Sequence, residues 1–109
     1  MISIGERAFD CSGLTKITIP DSVDAIAGYA FNCCYELVNI TIPDSVTFIG
    51  QSAFEGCHKL TNITIPDSVK SIGKNAFENC PDLVIDCHSK RIADLLRESG
   101  FNDTIRVLP

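Results

Sequence analysis

The chain has 109 residues, 45% of them hydrophobic and 21% charged, with a formal net charge of −5. That length is one domain's worth, and the apolar share is enough to bury a core, which excludes disorder by composition. The acidic balance excludes the basic stripe that nucleic acid requires, and no apolar run approaches the ~18–20 residues that span a bilayer, so neither nucleic-acid binding nor membrane insertion is expected.

The first segment, "ISIGERAF", aligns with "TFIGQSAF" and "KSIGKNAF" further on, so the chain is expected to begin halfway through a repeating unit. No basic stretch followed by an apolar one precedes it, so no signal peptide is read here. "LTKITIPDSV", "LVNITIPDSV" and "LTNITIPDSV" then follow one another. Pro20, Pro43 and Pro66 are 23 apart, as are Val23, Val46 and Val69, and Ile26, Ile49 and Ile72. Leu14, Leu37, Leu60 and Leu83 keep the same step, as do Cys11, Cys34, Cys57 and Cys80. The pairs Ala30-Phe31, Ala53-Phe54 and Ala76-Phe77 follow suit, but Ala8-Phe9 stands only 22 before the next pair, which puts a missing residue between Phe9 and Cys11.

A fixed period of this length is the signature of a solenoid. A 23-residue coil cannot bury its own apolar side, so it stacks on its neighbours and like residues pile into ladders. Within one coil, "NITI" alternates, which sends Ile40 and Ile42 inward and Asn39 and Thr41 outward. "PDS" ends the strand, because proline has no amide to donate and Asp-Ser favours a turn. "VTFIG" reads as a second extended segment with Val46 and Ile49 inward, and "QSAFEGC" as one helical turn closed by Gly56. The inward set per coil is Leu, Ile, Ile, Val, Ile, Ala, Phe and Cys.

After Leu83 the pattern shifts: Asp86 and His88 take the expected isoleucine slots, and Ile85 and Cys87 come one place early. Ser89 is placed to cap a helix of roughly residues 90–99, with Ile92, Leu95 and Leu96 on one face and Gly100 at its end. "TIRVL" closes the chain as a last strand. The expected organisation is therefore repeats over 1–83, the first partial and without an N-terminal cap, and a strand–helix–strand cap over 84–109 that closes the stack. The uncapped first coil exposes apolar side chains and a strand edge, so a larger parent protein, a partner or self-association is expected to cover it.

At about 4.8 Å per rung the ladder cysteines stand within disulfide range, but parallel side chains in an apolar slot favour buried free thiols. Cys87 fills an isoleucine slot and reads the same way. Cys33 takes the place of Gly56 and Asn79, so a more exposed thiol is expected there, with no functional role assigned to it, and a vicinal bridge to Cys34 would be strained. Cys57-His58, Cys80 and Cys87-His88 lack zinc spacing, and nothing supplies an orienting acid or an oxyanion donor for a Cys–His nucleophile; no metal, cofactor or catalytic residue is assigned. Asp21, Asp44 and Asp67 form an acid ladder read as solvated Asx-turns rather than a calcium site. The outward strand positions Lys16, Thr18, Asn39, Thr41, Asn62 and Thr64 form the extended face where a solenoid meets partners.

"LTNITIPDSVKSIGKNAFENC" resembles the BspA-type, or Treponema-pallidum-type, leucine-rich repeat, whose pattern runs Leu-x-x-Ile-x-Ile-Pro-x-x-Val-x-x-Ile-Gly-x-x-Ala-Phe-x-x-Cys. Three full copies and two partial ones match, over residues 2–83. The resemblance implies an α/β repeat: a right-handed leucine-rich-repeat solenoid of parallel strands and short helical turns, closed by a helix–strand cap. It also implies a secreted or cell-surface protein implicated in adhesion and host binding. The leading expectation is a non-enzymatic interaction module that contacts protein or glycan through its strand face. The other expectation, of a different class, is a purely structural stacking and capping segment of a longer repeat protein.

Overall fold

The computed structural model of the chain describes residues 2–109, and Met1 lies outside the described residues. Among the described residues nine short strands and one helix are wound as a solenoid: β1 (Ile2–Ile4), β2 (Lys16–Thr18), β3 (Val23–Ile26), β4 (Asn39–Thr41), β5 (Phe48–Ile49), β6 (Asn62–Thr64), β7 (Ser71–Ile72), β8 (Val84–Cys87), α1 (Lys90–Glu98) and β9 (Ile105–Val107). Every pairing is parallel. One sheet runs β1-β3-β5-β7; on the other side of the coil β2 pairs with β4, and β6-β8-β9 form a separate ladder.

The registers follow the sequence period. Lys16 stands beside Asn39 and Ala25 beside Phe48, both one 23-residue step, whereas Asn62 pairs with Val84, a step of 22. That shorter step is the shift read at Asp86, and it carries Ile85 and Cys87 into full burial.

The inward set is buried as expected in the middle of the stack. Leu37, Val46, Ile49, Ala53, Phe54 and Cys57 are fully buried, and Ile40 and Ile42 are 4% and 6% exposed. The phenylalanines stack face to face: Phe9 on Phe31, Phe31 on Phe54 and Phe54 on Phe77, with centroids 5.2–5.3 Å apart. Phe101 ends the column edge-on at 6.3 Å. Close rung spacing also explains the Ile-Gly pairs. A Cβ built on Gly50 would fall 2.6 Å from the carbonyl carbon of Ala27 and 2.8 Å from the Cα of Gly28, a clash with backbone that no side-chain motion relieves.

Two features differ from the sequence reading. The segments read as helical turns are realised as consecutive turns closed by i→i−3 hydrogen bonds, such as Ala30 to Ala27, Asn32 to Tyr29 and Cys34 to Phe31 at 3.2–3.3 Å. The intervening amides of Tyr29, Phe31 and Cys33 donate instead to Gln51, Ala53 and Glu55 of the next coil at 2.7–2.9 Å. This alternation requires a left-handed residue at both ends of each segment: Arg7 and Cys11, Tyr29 and Cys33, Ser52 and Gly56, Asn75 and Asn79, with φ between 54° and 78°.

The second difference is where the first coil is short. The Cys11 amide donates to the Asn32 carbonyl at 2.8 Å, the bond that Cys33 makes to Glu55 and Gly56 to Glu78. Cys11 is therefore the counterpart of Cys33, and Ser12, whose amide bonds back to Phe9, is the counterpart of Cys34. The missing residue lies between Ser12 and Leu14, not between Phe9 and Cys11. Cys11 is accordingly exposed, while Cys34, Cys57 and Cys80 are buried. The cysteine ladder has three rungs, and the Ser12 hydroxyl turns back to accept from the Leu14 amide at 3.1 Å.

At the far end, Ser89 caps α1 by accepting from the Ile92 amide at 3.3 Å, and Ile92, Leu96 and Phe101 are buried against the last coil. Arg91 ties the helix to the stack through the carbonyls of Val69 and Asp67. At the near end Ile2 is 52% exposed, and Ile4, Phe9 and Ile17 are only partly buried.

Candidate functional site

The outward faces of the strands carry the candidate site. In β4 and β6 the isoleucines Ile40 and Ile63 turn inward, so Asn39, Thr41, Asn62 and Thr64 are exposed. These four line one groove of about 450 Å³, together with Asp44, Pro66, Asp67 and His88. Lys16 and Thr18, on β2, are exposed on the preceding strand and lie outside the groove.

The groove sits where the strand ladder is interrupted. Backbone pairing runs from β2 to β4 and again from β6 through β8 to β9, but it is not carried from β4 to β6. Its two walls are therefore the facing edges of two separate ladders. The turn after each strand contributes a carboxylate at the rim, because the amides of Val46 and Val69 close onto the carbonyls of Pro43 and Pro66 and leave Asp44 and Asp67 outside. The serine of the same turn is spent on structure: Ser45 donates to the Val23 carbonyl at 2.6 Å and Ser68 to that of Val46 at 2.7 Å.

The groove residues are not equally free. Asn62 donates to the Val84 carbonyl at 3.2 Å and to Asp86 at 3.1 Å. Asp67 accepts from the Ser89 hydroxyl at 2.8 Å. Asp86, 5% exposed, is gripped by Arg106 through two bonds of 2.6 and 2.9 Å. Those Arg106 bonds, helped by Asn62, hold the Asp86 carboxyl below the ordinary carboxylate value against the opposing effect of its burial. Asn39, Thr41 and Thr64 make no side-chain hydrogen bond among the described residues and are open to a ligand. The groove thus offers amide, hydroxyl and carboxylate groups over an apolar floor.

The cysteines and histidines do not converge. Cys34, Cys57 and Cys80 each donate a thiol to the carbonyl of a phenylalanine in the preceding coil: Phe9 at 3.0 Å, Phe31 at 3.3 Å and Phe54 at 3.2 Å. Burial pushes all three thiols up, Cys80 to about 11. This carbonyl contact explains why a cysteine stands at that rung, and the repeat pattern alone carried no sign of it. His58 lies outside against Tyr35, rings 4.8 Å apart, and His88 sits in the groove. Among the described residues no three His, Cys, Asp or Glu side chains are grouped to hold a metal ion, and no helix is long and apolar enough to cross a membrane.

The BspA type leucine rich repeat region matches residues 1–94 in six copies, running eleven residues beyond Leu83. No curated protein matches the chain. Among solved structures, a leucine-rich repeat protein from Bacteroides capillosus is 32% identical with a TM-score of 0.69, over 77% of this chain and 61% of that one. The leucine-rich repeat protein of T. pallidum is 28% identical with a TM-score of 0.66, over 74% of this chain and 50% of that one. A leucine rich cell surface protein from Faecalibacterium prausnitzii is 28% identical with a TM-score of 0.76, over 95% of this chain but 29% of its own length. The chain spans less than two thirds of each of these proteins. Repeat period, parallel coils and family match agree: this chain belongs to the BspA-type leucine-rich-repeat family.

Proposed function

We propose that this chain is a non-enzymatic interaction module that contacts a protein or glycan through the groove between β4 and β6, as part of a surface or adhesion-type protein. The carrying observation is the groove itself: Asn39, Thr41, Asn62 and Thr64 line it where the strand ladder is interrupted. Rows of amides and hydroxyls at rung spacing suit a ligand that also repeats hydrogen-bonding groups, which describes an oligosaccharide or an extended peptide. The rim carboxylates favour neutral or cationic ligands over anionic ones. The similarity to a cell surface protein from Faecalibacterium prausnitzii supports the surface setting.

The test is calorimetric titration of the chain with neutral oligosaccharides and with extracellular-matrix proteins, repeated with the Asn39→Arg/Thr41→Arg variant. Both residues are exposed and carry no structural hydrogen bond, so the variant keeps its unfolding midpoint while its affinity for a bound ligand falls at least about tenfold, ~1.4 kcal/mol. Binding that survives the double substitution refutes the groove. If no ligand is found and the substitutions are silent, the purely structural reading, a stacking and capping segment of a longer repeat protein, takes its place.

A second surface is proposed at the open first coil. The outer edge of β1 has no partner strand among the described residues, and Ile2, Ile4 and Phe9 lie beside it. A second copy turned about a two-fold axis presents the same edge and the same residues, so pairing there is self-complementary.

A further inference from the structure

The one-residue deletion after Ser12 brings two thiols into register that the sequence period keeps apart. Cys11 and Cys33 occupy the same place on adjacent rungs, with φ of 55° and 56° and the same ladder hydrogen bond to the next coil. We infer that they form a reversible disulfide that staples the first coil to the second, made by exchange with a low-molecular-weight disulfide of the glutathione class.

Adjacent rungs lie ~4.8 Å apart, inside the ~4.4–6.8 Å between Cα atoms that a disulfide bridges. A Cβ built on Gly56 falls 3.4 Å from the Cys33 Sγ and 3.5 Å from the Cys33 Cα, so the Cys33 sulfur rests in the space that Gly56 leaves open. Closing the bridge takes a rotation of the Cys33 side chain about χ1 toward Cys11, one rung earlier in the same register. Gly56 has no side chain to crowd the Cys33 sulfur from the other side. Cys11 is exposed and Cys33 half-buried, so a small disulfide reaches both, whereas Cys34, Cys57, Cys80 and Cys87 are buried. Cys34, the neighbour of Cys33 in sequence, is turned into the core by its bond to the Phe9 carbonyl.

The exchange balances without any other reactant. The Cys33 thiolate attacks one sulfur of the small disulfide, forms a mixed disulfide and releases one thiolate. Cys11 gives its proton to water, and its thiolate attacks the Cys33 sulfur, breaking the mixed disulfide and releasing the second thiolate. The protein dithiol loses two electrons and two protons, and the small disulfide becomes two thiols. Partial desolvation and the neighbouring Asp10 carboxylate hold the Cys11 thiol above its ordinary value, so less of it is thiolate and the second step depends on being intramolecular. The product links the coil that carries β1 to the coil that follows it, so oxidation ties the first two described coils together.

The test uses the whole chain, reduced, then incubated with oxidised glutathione at pH ~8 so that thiolate is present. After alkylation, intact mass and peptide mapping should show a species lighter by two hydrogens, cross-linked between Cys11 and Cys33, with the four buried cysteines alkylated only after unfolding. Hydrogen exchange at residues 2–9 should slow by roughly tenfold or more in the oxidised form. The Cys11→Ser variant, changed at an exposed position, should stop at a glutathione adduct on Cys33. A lasting adduct on Cys33 of the unmodified chain, a Cys33–Cys34 bridge or only intermolecular disulfides would overturn the proposal.

Discussion

Replacing Phe54 with alanine tests the stacked core directly. Its ring is fully buried between Phe31 and Phe77, both at 5.2 Å with interplanar angles of 5° and 1°. A buried aromatic side chain removes ~150–250 Å² from water, worth ~4–6 kcal/mol at ~25 cal/mol per Å². Large-to-small replacement of a core phenylalanine costs ~3–5 kcal/mol, and two stacking contacts place Phe54 at the upper end. Phe9 has one stacking partner and is only partly buried, so Phe9→Ala should cost ~1–2 kcal/mol. The assay is urea unfolding of both variants under reducing conditions. With a slope of about 1.5 kcal/mol per molar, Phe54→Ala should lower the midpoint by roughly 3 M and Phe9→Ala by about 1 M, with slopes unchanged. Equal losses at the two positions would show that the stack does not protect its middle rungs. A Phe54→Ala chain that unfolds like the parent would refute the inward assignment itself.

Gly50→Ala should destabilise by at least about 1–3 kcal/mol, because its Cβ meets backbone of the preceding coil, while Gly5→Ala, with nothing within 4 Å, should be close to neutral; thermal melts of the two compare them directly. Below about pH 4 stability should fall as Asp86 is protonated: its folded value is depressed, so its contribution is present above the ordinary carboxylate value and lost as pH drops through the folded one. Arg106→Gln should flatten that acid limb in a pH series of melts. At the alkaline end the sign reverses, since a raised thiol value favours the neutral folded form; stability should fall from the ordinary thiol range toward about 11, and Cys80→Ala should reduce the loss. Light scattering across a concentration series, in reductant, should show a dimer that Ile2→Lys returns to monomer; a parent chain that stays monomeric throughout would reject pairing at the β1 edge.

Much of this molecule was legible because the period converts position into environment. Once Leu37, Ile40, Ile42 and Val46 are known to recur, stacking dictates that they face inward, and the alternation leaves Asn39 and Thr41 outside. Residue identity misled where it matched the wrong backbone position. Cys11 looks like Cys34, yet the left-handed turn and the ladder hydrogen bond put it above Cys33. The left-handed places were hidden for a related reason: Gly56, Asn75 and Asn79 suit them, but Arg7, Tyr29, Ser52 and Cys33 do not advertise them. The groove had no local signal either. "NIT" stands identically on both of its walls, and the break in pairing between them is a property of how two coils meet. Four of its polar residues were readable as outward; the contributions of His88 and Pro66 needed the three-dimensional path of the next coils.

The break between β4 and β6 gives the stack a mechanical asymmetry. The strands β1-β3-β5-β7 hold one side together through an unbroken series of backbone bonds, while the other side is joined across side chains at its midpoint. Tension along the solenoid axis would therefore bend the stack about the continuous sheet and widen the seam first. A ligand seated across that seam bridges both halves, so its grip resists the bending and is weakened by it. Under the proposed function, the load on the chain and the strength of its hold on a ligand would then be one coupled quantity.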